Sequence, residues 1–305
     1  MFWSLKHEIK TRLQSIANRL EKLRYSHLFR EVANKDDSGQ FIAQAIHQGR
    51  PCLIARLGSV ESRLLGEALY RDSRWSRQTL KEAHRNAGIF PVDSTALAEV
   101  AACLKRGLAR VDLLAQWQSP YQTRLIIDLL PETSLRCDLS AVEPWWMAVP
   151  WTSALVGKKV LVVHPFALTI QRQYRKREEL FDDPAILPPF DLITLCPPQT
   201  LGHETEGFGS WMEALDHLTA QVLEIDFDVA LIGCGAYGLP LGAAIKAMGK
   251  PSIHLGGALQ LLFGIRGRRW EAMPQYVALM NDSWVRPSPD ETPVAANKVD
   301  GGCYW

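Results

Sequence analysis

FDVALIGCGAYGLPLGAAIKAMGKPSIHLGGALQLLFGIRGRRW, residues 227 to 270, is the stretch whose reading decides the fold. Phe227 to Ile232 has the apolar run of a buried strand. The turn Gly233-Cys234-Gly235-Ala236-Tyr237-Gly238 follows it. Leu239 to Met248 reads as a helix, with Pro240 near its start, where a missing N–H costs little, and Gly249 just past its end. Pro251 to Leu255 reads as a second strand, and Gly256-Gly257 turns the chain into another helix. Strand, glycine turn and helix in repetition predict an α/β fold with a mostly parallel sheet flanked by helices. Ligands of such sheets sit at the carboxyl ends of the strands, where helix N-termini offer N–H groups to phosphate.

Gly233, Gly235 and Gly238 match the spacing of a dinucleotide fingerprint, but the match comes late in the chain. The acidic residue expected at the end of the next strand is missing, and His254 stands roughly there. A nicotinamide or flavin cofactor is therefore not expected. The other reading of these glycines is close packing of a helix on the sheet.

Outward from this unit, composition sets bounds. The 305 residues are 47% apolar and 22% charged, as in an ordinary globular protein, and the net charge of +1 argues against a broad nucleic-acid surface. The cysteines, Cys52, Cys103, Cys137, Cys196, Cys234 and Cys303, show no metal spacing and suit free thiols in a reducing compartment. No apolar run is long enough for a membrane span, and charges at Lys6, Glu8, Lys10 and Arg12 argue against a signal peptide. A cytoplasmic protein is the expectation. Residues 2 to 32 read as a basic amphipathic helix, with Phe2, Trp3, Leu5, Ile9, Leu13, Ile16, Leu20, Leu23 and Leu28 on one side. It would either pack on its own domain or self-associate, or lie on an anionic membrane surface. Asn34 to Gly39 reads as a linker. The expected organisation is thus an N-terminal helix and linker over residues 1–40 and one α/β domain over 41–305.

Within that domain, Cys52 to Leu57 is a buried-strand pattern running into Gly58-Ser59-Val60-Glu61 and a helix from Ser62 to Leu69. Arg56 and Glu61 flank this strand-to-helix turn; Glu61 also suits a plain helix-start residue. Glu143-Pro144-Trp145-Trp146 is an aromatic loop, suited to a sugar or base or to packing. Val160 to Val163 is a strand ending at His164, and Asp191 to Leu195 is another. Gly202 to Gly209 reads as a mobile loop with His203, Glu204 and Glu206. If the strands are parallel, Arg56, Glu61, His164, the Gly233 turn, His254, Gly256 and Gly257 share one rim. That set fits a phosphate-bearing ligand with a carboxylate beside it, its charge met by Arg56 and Lys246. His164 and His254 also suit buried groups that satisfy a backbone carbonyl. No GxxxxGK[ST] or GxSxG is present, which excludes a P-loop hydrolase and a serine hydrolase of the elbow type.

Arg56-Leu57-Gly58-Ser59-Val60-Glu61 resembles the R-F-G-D-G-E stretch of bacterial glycosyltransferases with the GT-D fold. GCGAYGLPL, IKAMGK, IHLGGALQLLFGIRG and RRW resemble the C-terminal half of that group, and especially relatives found among surface-polysaccharide genes. The resemblance covers roughly residues 41 to 305. It implies a Rossmann-like domain that moves a sugar from a nucleotide-diphosphate donor to a glycan or lipid-linked acceptor. It also implies a donor site drawn from Arg56, Gly58, Ser59, Gly233, Gly235, Tyr237, Gly238, Lys246, Gly256, Gly257 and Gln260. In the family a D-x-E motif binds a divalent cation, Mn²⁺ or Mg²⁺. Here its Glu is Glu61, and its Asp position holds Ser59, a neutral ligand. The cation would then rest on Glu61 with diphosphate oxygens and water, or Arg56 and Lys246 would supply its charge. His164, His254 and Glu206 are the candidates for a general base. The competing expectation is a protein of the same fold that binds a nucleotide sugar or glycan without turnover, with Ser59 as the mark of lost catalysis.

Overall fold

The computed structural model describes residues 32–293, 296, 299 and 301–305. The elements run α1 (Lys35–His47), β1 (Leu53–Ala55), α2 (Ser59–Tyr70), α3 (Arg77–Ala87), α4 (Ser94–Leu108), β2 (Leu113–Gln116), α5 (Gln122–Leu129), β3 (Leu135–Asp138), β4 (Lys159–Val163), α6 (Ala167–Tyr174), β5 (Asp191–Leu195), α7 (Trp211–Leu223), β6 (Val229–Ile232), α8 (Gly238–Ala247) and β7 (Ser252–His254). Three short helices close the series: α9 (Leu259–Leu262), α10 (Arg268–Glu271) and α11 (Pro274–Val277).

The strands form one seven-stranded sheet in the order β3-β2-β1-β7-β6-β4-β5, and every pair is parallel. A parallel sheet is covered on both faces, and its strands read as continuous apolar runs. Side chains alternate between the two faces. Leu53, Leu161, Val163, Ala230 and Ile232 join the core beneath α2, α4, α7 and α8. Ile54, Val160, Val162, Leu231 and Ile253 join the opposite core, with Phe166, Ile170 and Trp284. Each of these aliphatic side chains contributes about 1.5–3 kcal/mol by leaving water. The sheet is a Rossmann-like α/β sandwich, as the repeated strand-turn-helix pattern predicts. Its two halves meet where β1 pairs with β7, with Ile54 opposite Ile253.

Several local expectations change. The stretch expected to be a linker is the start of α1: Asn34 caps it by accepting from Asp37 N–H at 2.9 Å, and Ser38 and Gly39 are buried. The charge of Asp36 and Asp37 belongs to a first helical turn, where it complements the helix dipole. Asp93 caps α4, accepting from Thr95 and Ala96 N–H. Strand β3 has no counterpart in the sequence reading. It is a sheet edge with only Cys137 buried, so it shows no apolar run. Ala33 bridges to Cys137, which brings the chain into the body beside that edge. The amphipathic segment expected over residues 2 to 32 lies almost wholly outside the described residues.

Candidate active site

Because β1 and β7 are neighbours, their carboxyl ends present Arg56 and Leu255 side by side. Arg56 donates from Nη1 to the Leu255 carbonyl at 3.3 Å. Its stem rests on the next residue: a Cβ added to Gly256 would lie 2.9 Å from Arg56 Cδ, and Gly256 has φ +60, a conformation that side chains disfavour. Burial pushes the Arg56 pKa down, as does the positive charge of Arg269, while Tyr304, Glu61 and Glu143 push it up. These groups thus gather around one guanidinium.

Glu61 lies in the first turn of α2, and its carboxylate packs directly on Gly58. Glu143 follows β3 and is buried. Its carboxylate accepts from the Tyr276 hydroxyl at 2.8 Å and from the Trp146 indole N–H at 2.8 Å. Burial raises the Glu143 pKa, against those two hydrogen bonds and the charge of Arg56. Arg269 donates to the Tyr304 hydroxyl at 3.2 Å, with its guanidinium 4.6 Å above the Tyr304 ring, and to Cys303 Sγ at 3.1 Å. Glu143, Arg269 and Tyr304 escaped the sequence reading. Arg269 lies in the RRW motif but was given no role there, and no motif marks Glu143 or Tyr304; positions 143, 269 and 304 are far apart along the chain. For Glu143 the aromatic pair beside it was the available signal.

The two histidines stand at strand ends but inside the protein. His164 is 3% exposed and His254 is 5% exposed. Burial holds both far below the ordinary 6.5, at about 3, and Arg56 adds to the effect at His254. His164 Nδ1 accepts from the Phe166 N–H at 3.0 Å. Both imidazoles are neutral at physiological pH and are weak proton acceptors. Glu206 is exposed in the loop after β5, with φ +49.

The first glycine turn is occupied by packing. A Cβ on Gly233 would meet His164 Cδ2 at 2.5 Å, and one on Gly238 would overlap the His254 ring. Tyr237 is buried, its hydroxyl 2.8 Å from Thr200 Oγ1 and its ring stacked on Trp211 at 4.9 Å. Gly235 is exposed. Gln260 is fully buried and donates to the carbonyls of Ile265, Arg266 and Tyr304 at 3.1–3.2 Å, so it ties the C-terminal segment to α9. Lys246 is a correction. It lies near the C-terminal end of α8, at the opposite rim of the sheet, paired with Asp112 at 2.6 Å and donating to the Arg110 carbonyl at 2.8 Å. A helix places residues near its two ends on opposite rims of the sheet beneath it, which is why Gly238 and Lys246 part company.

Helix N-termini at the rim are also largely claimed. Glu291 accepts from Leu168 N–H at 2.7 Å and from Thr169 N–H at 3.1 Å, which caps α6. As for a metal, Glu61 and Ser59 supply one carboxylate and one neutral hydroxyl. Among the described residues no group of three or more His, Cys, Asp or Glu side chains comes together to hold an ion. A cation held by Glu61 and Ser59 would take its remaining ligands from diphosphate oxygens and water.

No family model matches the chain, and no curated protein matches it. A solved structure, titled as the selenomethionine-substituted form of domain of unknown function 1792, is similar at 12% identity over 75% of this chain and 78% of that one, with a TM-score of 0.45. At that identity and score the likeness carries no weight for activity.

Proposed function

We propose that the chain is a glycosyltransferase of GT-D type. It takes a sugar from a nucleotide-diphosphate donor and passes it to a glycan or lipid-linked acceptor in surface polysaccharide synthesis. The observation that carries this is the placement of Arg56 and Glu61 on either side of one strand-to-helix turn, at the β1–β7 seam of a parallel sheet. The resemblance of Arg56 to Glu61, and of residues 227 to 270, to that family supports the same reading. In such a transfer the acceptor hydroxyl oxygen bonds to the anomeric carbon, the bond to the diphosphate oxygen breaks, and the hydroxyl proton passes to a base at the rim or to the departing diphosphate. The departing diphosphate carries the electron pair. A fixed guanidinium at that position stabilises the developing charge, and more strongly where water is partly excluded. Glu61 would orient the donor from the opposite side of the turn. Residues 2 to 32 would keep the enzyme near membrane-borne acceptors.

The second reading, binding without turnover, is favoured by Ser59 and by the poor basicity of His164 and His254. Thermal shift with nucleoside diphosphates and nucleotide sugars, each with and without Mn²⁺ or Mg²⁺, separates the two when followed by a donor-turnover assay. Donor binding with turnover, abolished in Glu61→Ala at unchanged folding, is the expected result. Binding without turnover on any glycan or lipid-linked acceptor transfers the case to the second reading. Full turnover by Glu61→Ala sinks the site.

A further inference from the structure

We propose that Arg56, Arg269 and Tyr304 form the seat of the donor's diphosphate, on the Gly256-Gly257 turn after β7. This deepens the transferase reading and rests on it for the identity of the ligand. It moves the anion away from the first glycine turn and from the helix starts.

The argument is one of space and charge. Consecutive glycines carry the two sides of the seat. Gly256 is pressed by Arg56, and a Cβ on Gly257 would lie 2.5 Å from Tyr304 Cε1 and 3.2 Å from Trp270. A side chain at either position would push the cation or the phenol aside. Arg269 is fixed by its backbone N–H on the Cys303 carbonyl at 3.0 Å and by its stacking on Tyr304. Gln260 holds the Tyr304 carbonyl at 3.1 Å, and a Cβ on Gly267 would lie 2.9 Å from that same oxygen. The segment from Cys303 to Tyr304 is therefore built into the rim.

Burial depresses Arg56 first and the charge of Arg269 adds to that, while Glu61 and Glu143 offset part of the repulsion between the two guanidiniums. A dianionic bridge relieves that repulsion, and forked donors match phosphate oxygens. Arg269 donates to the Tyr304 oxygen, so the guanidinium and the phenol are held as one unit beside Gly257. The competing anion positions are filled. Glu291 caps α6, the Glu61 carboxylate covers Gly58 at the start of α2, and the His254 ring fills the space at Gly238.

The test uses the intact protein and inorganic pyrophosphate, with inorganic phosphate as comparator, in titration calorimetry. Pyrophosphate should bind at least tenfold tighter than phosphate, and more weakly as salt rises. Tyr304→Phe, a near-isosteric change, should weaken pyrophosphate about fivefold, and Arg269→Gln more than tenfold. Lys246→Met, at the far rim, should leave affinity unchanged. The melting temperature without ligand checks that each variant is folded. No pyrophosphate binding, equal affinity for phosphate, or affinity within twofold in folded Tyr304→Phe and Arg269→Gln overturns the seat. A nucleotide sugar that is bound and turned over normally by both variants would overturn it while leaving the transferase reading standing. Pyrophosphate binding that follows the variants, with no nucleotide sugar bound, keeps the seat and discards the transferase reading.

Discussion

Acid should weaken this fold through two histidines. His164 and His254 are held at about 3 in the native protein, against an ordinary 6.5. Between those values the unfolded chain binds a proton at each position that the folded chain refuses. Stability from this source is complete above pH 6.5 and is lost as pH falls toward 3. Each histidine contributes a slope of about 1.4 kcal/mol per pH unit, so roughly 2 kcal/mol each disappears between pH 6.5 and 5. Together that is about 4 kcal/mol, a large part of a stability of roughly 5–15 kcal/mol. The raised pKa of Glu143 works in the opposite sense, its contribution lost as pH rises, so the raw slope mixes both. A difference measurement isolates the histidine. His164→Asn keeps an acceptor side chain facing the Phe166 N–H and removes the titration. Urea unfolding of both proteins at pH 7, 6 and 5 should show stability falling less steeply in the variant, by about 1.4 kcal/mol per unit below pH 6. Parallel pH curves would refute the claim that His164 is buried and neutral.

Gly238→Ala should destabilise by about 1–3 kcal/mol or more, because its methyl has only the His254 ring to displace; an unchanged urea midpoint would contradict that contact. Lys246→Met should cost about 1 kcal/mol or less, since the Lys246 and Asp112 side chains are 25% and 29% exposed. A larger loss of stability would show that the pair is more than a surface ion pair. Tyr276→Phe removes the O–H that the buried Glu143 carboxylate accepts, and should cost about 1–3 kcal/mol in chemical denaturation. Stability equal to wild type would mean that the carboxylate finds its donors elsewhere.

The central sheet was readable because parallel strands covered on both faces must be apolar along their whole length. Val160 to Val163 and Phe227 to Ile232 show how closely such a run, bounded by turns and charges, delimits a strand: the observed strands are Lys159–Val163 and Val229–Ile232, buried along nearly their whole length. Where one face is open the signal fades. Strand β3, at the edge with Leu135, Arg136 and Asp138 not buried, is the example. The rim was partly readable, since Arg56, Glu61, His164 and His254 end or follow apolar runs. Glu143, Arg269 and Tyr304 were not, since they are far apart along the chain, and no local pattern encodes strand order. Lys246 was misplaced for the same kind of reason. Closeness to a glycine turn along the sequence was read as closeness in space, across a helix that carries the chain to the other rim.

The two glycine turns of residues 227 to 270 therefore do different work, although they look alike as sequence. At Gly233 and Gly238 the missing side chains make room for imidazoles. The fingerprint spacing there records how closely α8 and the sheet approach, and the packing of Tyr237 against Trp211 and Thr200 holds that approach fixed. A pyrophosphate laid along this turn would have to displace buried rings. At Gly256 and Gly257 the missing side chains make room for the Arg56 side chain and the Tyr304 ring. Charge, more than glycine count, distinguishes a turn that packs from one that binds. The anion is expected where Arg56 packs on Gly256 and the Tyr304 ring beneath Arg269 packs on Gly257.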